Sequence, residues 1–456
     1  LSLSLSASQF YNTLSFIMRI FKHIHKPVCW TIATIIIFSI LAPSSLYAQR
    51  EIQTINDSWK FRKGECTAAL DSTFKDDEWE DIHLPHTWNT DAYTEKDYYR
   101  GTGWYRRQII LPQDWIGKQV FLKLDAASKA TCIYINGKKV GEHTGGYTAS
   151  TLNITPFLSF NSPNMLVIRV DNARMDIPPI SGDFTFFGGI YRDAWLIAVP
   201  SQHFNLTNHG SDGIFITTPR VSEQQATLSI HGEIKNDARE KAALELVHSI
   251  YHPDGTLLQT QKQFIQLKAG ETRNFDSNIS PILQPLLWTP ETPYLYRVET
   301  TLFNCKTKSI VDQSNHHTGF RWFHFESNKG FYLNGKPYKL RGICRHQDQK
   351  PIGVALTDEM HRRDMKLMKE MGANFIRISH YPQDDAIIEM CDKLGMLAWE
   401  EIPVIDIVPD TPGYGDNCER SLREMIRQHY NHPSIIIWGY MNEILLVTQQ
   451  IGRAHV

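Results

Sequence analysis

Between residues 326 and 444 short, strongly apolar runs alternate with helical segments, and this alternation limits the fold more than any other feature of the chain. NGKPYKLRGIC, NFIRIS, MLAWEE and PSIIIWGYMN read as strands whose apolar runs show no in–out alternation. Strands of that kind are covered on both faces, which is the situation of a parallel sheet flanked by helices. Three helical segments separate them: TDEMHRRDMKLMKEMG, DDAIIEMCDKLG and ERSLREMIRQHYN. In the first, Asp358 stands near the start, Leu367, Met368 and Met371 are expected to share the buried face, and Gly372 is placed to cap the end; Gly395 closes the second. The order is (βα)₃β. No glycine-rich phosphate turn follows the first strand, which disfavours a doubly wound sheet. The first half of a (β/α)₈ TIM barrel fits better, and in that fold polar residues at the strand ends face the catalytic side.

Upstream the period changes to two. From about 50 to 200, GTGWYRRQIILP, QVFLKLD, TCIYINGKKVGEH and MLVIRVDN are short strands, with Asn136-Gly137 as a hairpin turn and no amphipathic helix between them. A β-sandwich is expected there. From about 201 to 320, ATLSIHGEIKN, ALELVHSIYHPDGTLLQTQKQFIQL and LYRVETTLF suit an immunoglobulin-like sandwich, with Asp254-Gly255 as a turn. LLWTPETPYLY, with Pro290 and Pro293, reads as a loop or sheet edge. Several domains are what 456 residues require. A formal net charge of −2 offers no nucleic-acid footprint and no basic membrane surface.

The two ends read differently from the rest. Residues 1–17 precede the first methionine, Met18, and look like upstream sequence. Residues 18–48 then run from a basic start (Arg19, Lys22, Lys26) through an apolar stretch to a cleavage site after Ala48, so an exported protein, periplasmic or secreted, is expected. At the other end 450–456 reads as adapter-derived sequence closing a truncated gene. Seven cysteines have no metal-binding spacing; Cys29 lies in the signal segment, and the other six are expected to be buried free thiols.

The strand ends carry Arg345-His346-Gln347-Asp348, Ser379-His380-Tyr381, Glu400-Glu401 and Asn442-Glu443, and a closed barrel is expected to bring these four sets to one pocket. Glu443 ends an apolar strand beside a tryptophan, an environment expected to enclose the carboxyl and favour its protonated form.

NGKPYKLRGICRHQD, GANFIRISHYPQ, CDKLGMLAWEEIP and NHPSIIIWGYMNE resemble successive barrel segments of glycoside hydrolase family 2. WYRR, DAASKATCIYINGKKVGEHTGGYTA and FFGGIYRDAWL are similar to that family's sugar-binding jelly-roll domain. The resemblance covers roughly 55–444. It implies a jelly-roll domain over 50–200, an immunoglobulin-like domain over 201–320 and a partial catalytic barrel over 326–444. Members are retaining exo-β-glycosidases, chiefly β-galactosidases, β-glucuronidases and β-mannosidases. Carried over by position, the resemblance makes Glu443 the general acid/base and Asn442 the amide that contacts the sugar 2-hydroxyl. It makes His346 and His380 pocket histidines, Asp183 a sandwich aspartate that reaches the pocket, and Glu401 a supporting acid.

The chain departs from the family pattern in two places. The family's nucleophile, a glutamate at the seventh barrel strand, has no counterpart in these 456 residues. Some members hold magnesium through an acid and a histidine after strand three; here those positions are Ile405 and Ile407, with Asp406 between them, so neither a metal nor another cofactor is expected. The expected function is hydrolysis of terminal β-linked sugars with retention. A β-galactosidase is placed first and a β-glucuronidase second, with a non-catalytic carbohydrate-binding protein as the reading from another class. The expected partner is a carbohydrate substrate, not nucleic acid, and the resemblance leaves room for a homo-oligomer.

Overall fold

A computed structural model describes residues 50–95 and 97–444, so the expected signal segment, the residues before it and the 450–456 tail lie outside the described residues. The first sandwich packs two sheets around Trp59, Trp115, Leu122, Leu166 and Ile168, all nearly solvent-free. Its six-stranded sheet is centred on Thr102–Ile109 and Asn164–Asp171, and its four-stranded sheet on Ala194–Val199 and Gln119–Leu124. The Asn136-Gly137 hairpin forms as expected between Ala130–Ile135 and Lys138–Thr144. Both turn residues have positive φ, 52° and 75°, which is why asparagine and glycine suit the position.

The second sandwich packs Gln225–Asn236 and its partners against the sheet of Leu257–Leu267, Ala242–Tyr251, Tyr296–Asn304 and Ile310–Thr318. A small antiparallel sheet follows, Phe323–Glu326, Gly330–Leu333 and Lys336–Pro337. NGKP therefore belongs to this hairpin rather than to the first barrel strand, because Tyr332 and Leu333 pair with Pro337 and Lys336.

The barrel segment is β1 (Gly342–Arg345), α1 (Asp358–Glu370), β2 (Phe375–Ile378), α2 (Asp385–Leu394), β3 (Leu397–Glu401), α3 (Tyr414–Gln428) and β4 (Ile435–Gly439). The four strands are parallel in the order β1-β2-β3-β4. Ile376, Ile378, Ala398 and Ile435 face the helices and meet Met365, Ile387, Ile388 and Cys391. The buried side of α1 is His361, Met365 and the partly buried Met368; Leu367 and Met371 are exposed, against the sequence expectation. Positions 361, 365 and 368 follow the i, i+4, i+7 stripe, and admitting the polar His361 to it moves the stripe off Leu367. The six cysteines of the described residues are free thiols, but only Cys391 is fully buried and Cys344 is exposed.

The first sandwich is fixed to the barrel by polar contacts along α3. Glu424 accepts from Thr148 Oγ1 at 2.6 Å and pairs with His143 Nε2 at 3.0 Å, while Gln428 bonds both the N–H and the carbonyl of Ala149. Arg192, nearly solvent-free, donates to the carbonyls of Tyr147 and Pro382 and to Gln347. The α3 bonds fix the sandwich along that helix, and the Arg192 bonds tie it to the segments that follow β1 and β2.

Candidate active site

Alternation along a strand sends neighbouring residues to opposite faces, and this sorts the strand-end groups. Arg377 on β2, Trp399 and Glu401 on β3 and Gly439 on β4 stand on one side of the sheet. Glu401 is completely buried and accepts two bonds from Arg377, Nε at 3.1 Å and Nη2 at 2.9 Å. His380 Nδ1 lies 2.6 Å from the same carboxylate. Arg377 Nη2 also donates to Asn442 Oδ1 at 2.7 Å. One guanidinium thus joins the ends of β2 and β3 and reaches the segment that follows β4. Gly439 permits the close approach of β3 and β4: a Cβ there would lie 2.4 Å from Trp399 Nε1 and 2.6 Å from Glu401 Cβ.

Asn442 is buried and anchored through its backbone, donating to Val404 O at 2.8 Å and accepting from Asp406 N. With its side-chain oxygen committed to Arg377, the polar end of Asn442 left to face the region is its amide N–H₂. Glu443 follows with φ +48° and is exposed. Among the described residues the carboxyl is exposed, past the end of β4, rather than enclosed as the sequence led one to expect. His346 sits 5.3 Å from His380, ring to ring, and its Nδ1 is 3.1 Å from Tyr381 Oη. Burial first, and then the neighbouring His380, push its pKa below the usual histidine value, so it stands neutral at pH 7.

The first sandwich supplies the opposite wall. Phe184 packs on His346, His380 and Tyr381, and Tyr381 stacks on Tyr147 at 4.3 Å. Asp183, beside Phe184, is exposed, and its negative charge acts on His346. Tyr93 Oη donates to Asp348 at 2.8 Å. The structure therefore brings His346, His380, Glu401, Asn442 and the Asp183–Phe184 pair to one region, with Glu443 at its edge.

Two of the expected strand-end groups turn away. Glu400 points to the outer face and bonds His429. Arg345 points to α1, where Asp364 and His361 receive it, and also donates to Gln383 before α2. Arg377, Phe184 and Tyr93 were not singled out from sequence. The one signal for Arg377 was an arginine inside the apolar run NFIRIS, since a charge there needs a buried partner. The magnesium positions of the resemblance do not fit a metal: Ile405 is buried, Ile407 offers no donor, and Asp406 takes a hydrogen bond from Ser181 at 2.9 Å.

Retention requires two carboxyls about 5–5.5 Å apart. Glu401 is paired with the Arg377 guanidinium, hydrogen-bonded to His380 and has no exposed face, so among the described carboxyls it is held as a supporting group rather than presented as the second one.

Comparisons with known proteins agree with this layout. Three models of one family match successive parts of the chain. They are "Glycosyl hydrolases family 2, sugar binding domain" over 47–200, "Glycosyl hydrolases family 2" over 212–321 and "Glycosyl hydrolases family 2, TIM barrel domain" over 326–453. A protein named beta-glucuronidase from Bacteroides fragilis is 35% identical over 421 residues, covering 90% of this chain and 58% of its own length. One named beta-galactosidase from Thermoanaerobacter pseudethanolicus is 30% identical over 407 residues, covering 87% and 52%. The crystal structure of a Bacteroides uniformis beta-glucuronidase superposes with a TM-score of 0.87 at 79% identity, over 88% of this chain and 48% of that one. The chain thus spans about half the length of the relatives it matches.

Proposed function

The chain belongs to glycoside hydrolase family 2, and from that premise we propose that it forms part of an exported retaining exo-β-glycosidase that removes terminal β-linked glucuronic acid. The observation that carries the glycone assignment is the 79% identity to the Bacteroides uniformis enzyme, against 30% to the Thermoanaerobacter β-galactosidase. The geometry supports the exo mode, because the Asp183–Phe184 segment and Tyr93 of the first sandwich wall one side of the strand-end region.

In this reading Glu443 protonates the leaving oxygen and then takes a proton from the incoming water. Asn442 donates to the sugar 2-hydroxyl, a contact that strengthens in an oxocarbenium-like transition state. Arg377 fixes which end of the Asn442 amide is free to do so. His346, His380 and Asp183 bind ring hydroxyls, and Glu401 holds His380 and Arg377 in place. No cofactor enters the scheme.

The test is a panel of 4-nitrophenyl β-glycosides on the complete product of the encoding gene. The β-glucuronide should exceed the β-galactoside in kcat/KM by about 100-fold or more, the difference of about 3 kcal/mol that one well-made charged contact supplies. A higher value on the galactoside would replace the glucuronidase reading with the galactosidase one.

A further inference from the structure

The wall that carries Asp183 and Phe184 is an irregular segment, residues 173–189, laid from the first sandwich across the barrel ends. Its two ends are tied by buried asparagines. Asn172 donates to Phe186 O at 2.9 Å and accepts from Gly101 N, and Asn89 accepts from Gly188 N at 2.8 Å. From the barrel side, Asn417 on α3 donates to Asp176 O at 2.6 Å and Ser181 bonds Asp406. Between these ties lies Lys129, only 2% exposed. Its Nζ donates to Ile177 O and to Pro179 O, each at 3.0 Å. Both acceptors are carbonyls of the segment. A methionine would fill similar space without the cost of burying an amine, so the distinctive contribution of a lysine here is to satisfy those two carbonyls.

We propose that Lys129 is a positioning residue for the glycone pocket, its buried Nζ holding residues 177–179 so that Asp183 and Phe184 stand against His346 and His380. This rests on the proposed role of those residues in sugar binding. A neutral amine still has two N–H groups, so the hold persists in either protonation state.

The charged groups around Nζ are Arg100 and Arg174, which oppose its charge, and Asp171 and Asp176, which favour it. Burial first, with Arg100 next, pushes the amine down to about 7. When the segment opens and hydrates Lys129, the amine returns to an ordinary lysine value near 10.5. The closed form therefore binds fewer protons between those values, and raising the pH above about 7 favours closure while lowering it below 7 changes nothing further.

Hydrogen exchange on the full chain reads this directly. In Lys129→Met, peptides spanning 174–186 should lose about tenfold in protection, while the sandwich strands and the melting temperature change little. In the wild type, protection of the same peptides, corrected for the intrinsic exchange rate, should rise as pH goes from 7 to 9.5, and Lys129→Met should abolish that rise. Unchanged protection in the variant would overturn the proposal. If the variant does not fold, a flat wild-type profile over that range overturns it. In the complete gene product Lys129→Met should raise KM for the aryl glycoside about tenfold with kcat nearly unchanged. A loosened segment with unchanged KM would overturn the positioning role, whereas a wild-type product that hydrolyses no glycoside would overturn the reading beneath it.

Discussion

Replacing Glu443 by glutamine in the complete gene product should lower kcat on a natural β-linked disaccharide by about 10²–10⁴-fold, the range that a positioned general acid/base contributes. Glutamine keeps the size and the backbone but cannot supply a proton. The loss in kcat/KM, which reports the first step, should therefore grow with the pKa of the leaving alcohol: large for alkyl and sugar leaving groups, small for 2,4-dinitrophenol, which departs without protonation. Water attack on the glycosyl-enzyme also loses its base, so azide, which needs none, should restore part of the rate and yield a β-glycosyl azide. The local geometry makes this a clean test. Asn442 is held independently by Arg377 and by backbone bonds to Val404 and Asp406, so the change at 443 leaves the neighbouring amide in place. Equal rates of wild type and variant on the disaccharide would remove Glu443 from the mechanism.

The fold was largely legible because its signals are local. Apolar runs such as SIIIW, the Asn136-Gly137 turn and Gly395 each act within a few residues, and each formed as expected. The buried face of α1 departs from the apolar pattern because its stripe admits the polar His361, bonded to Arg345. At the site, Glu400 and Glu401 are adjacent and chemically identical, and only strand alternation separates the one that faces His429 from the one that faces Arg377. That distinction could have been drawn from sequence once β3 was assigned. The roles of Tyr93, Phe184 and Lys129 could not: Tyr93 meets Asp348 across 255 positions of sequence, and no periodicity encodes such a meeting. Residues supplied by one domain to the site of another are specified by how the domains dock, and here the docking runs through side chains such as Glu424 and Arg192.

His429→Leu should destabilise the barrel half by about 3–5 kcal/mol, the cost of leaving a buried carboxylate without its partner. Glu400 has no exposed surface, and its two oxygens each lie 2.8 Å from His429 Nδ1, at the end of α3. The other ring nitrogen is 3.1 Å from Asp385 in the first turn of α2. Burial alone would lower the histidine pKa, but Glu400 and Asp385 together raise it to about 10. This imidazolium therefore bridges two helices and the outer face of β3. The folded value lies above the ordinary 6.5, so its contribution is fully present below pH 6.5 and is lost as pH rises through about 10. Urea unfolding should accordingly show the deficit of His429→Leu shrinking from pH 6 to pH 10. Pairing it with Glu400→Gln should recover much of the loss, because a neutral amide no longer needs the cation. A deficit that is constant with pH would mean that packing, not charge, is what His429 contributes. The adjacent residue gives the result a bearing on the site: Glu400 and Glu401 share one strand, so loosening the outer bond of β3 frees the inner carboxylate that holds Arg377 and, through it, Asn442. A fall in sugar affinity accompanying the lost stability would show that the two faces of β3 act together.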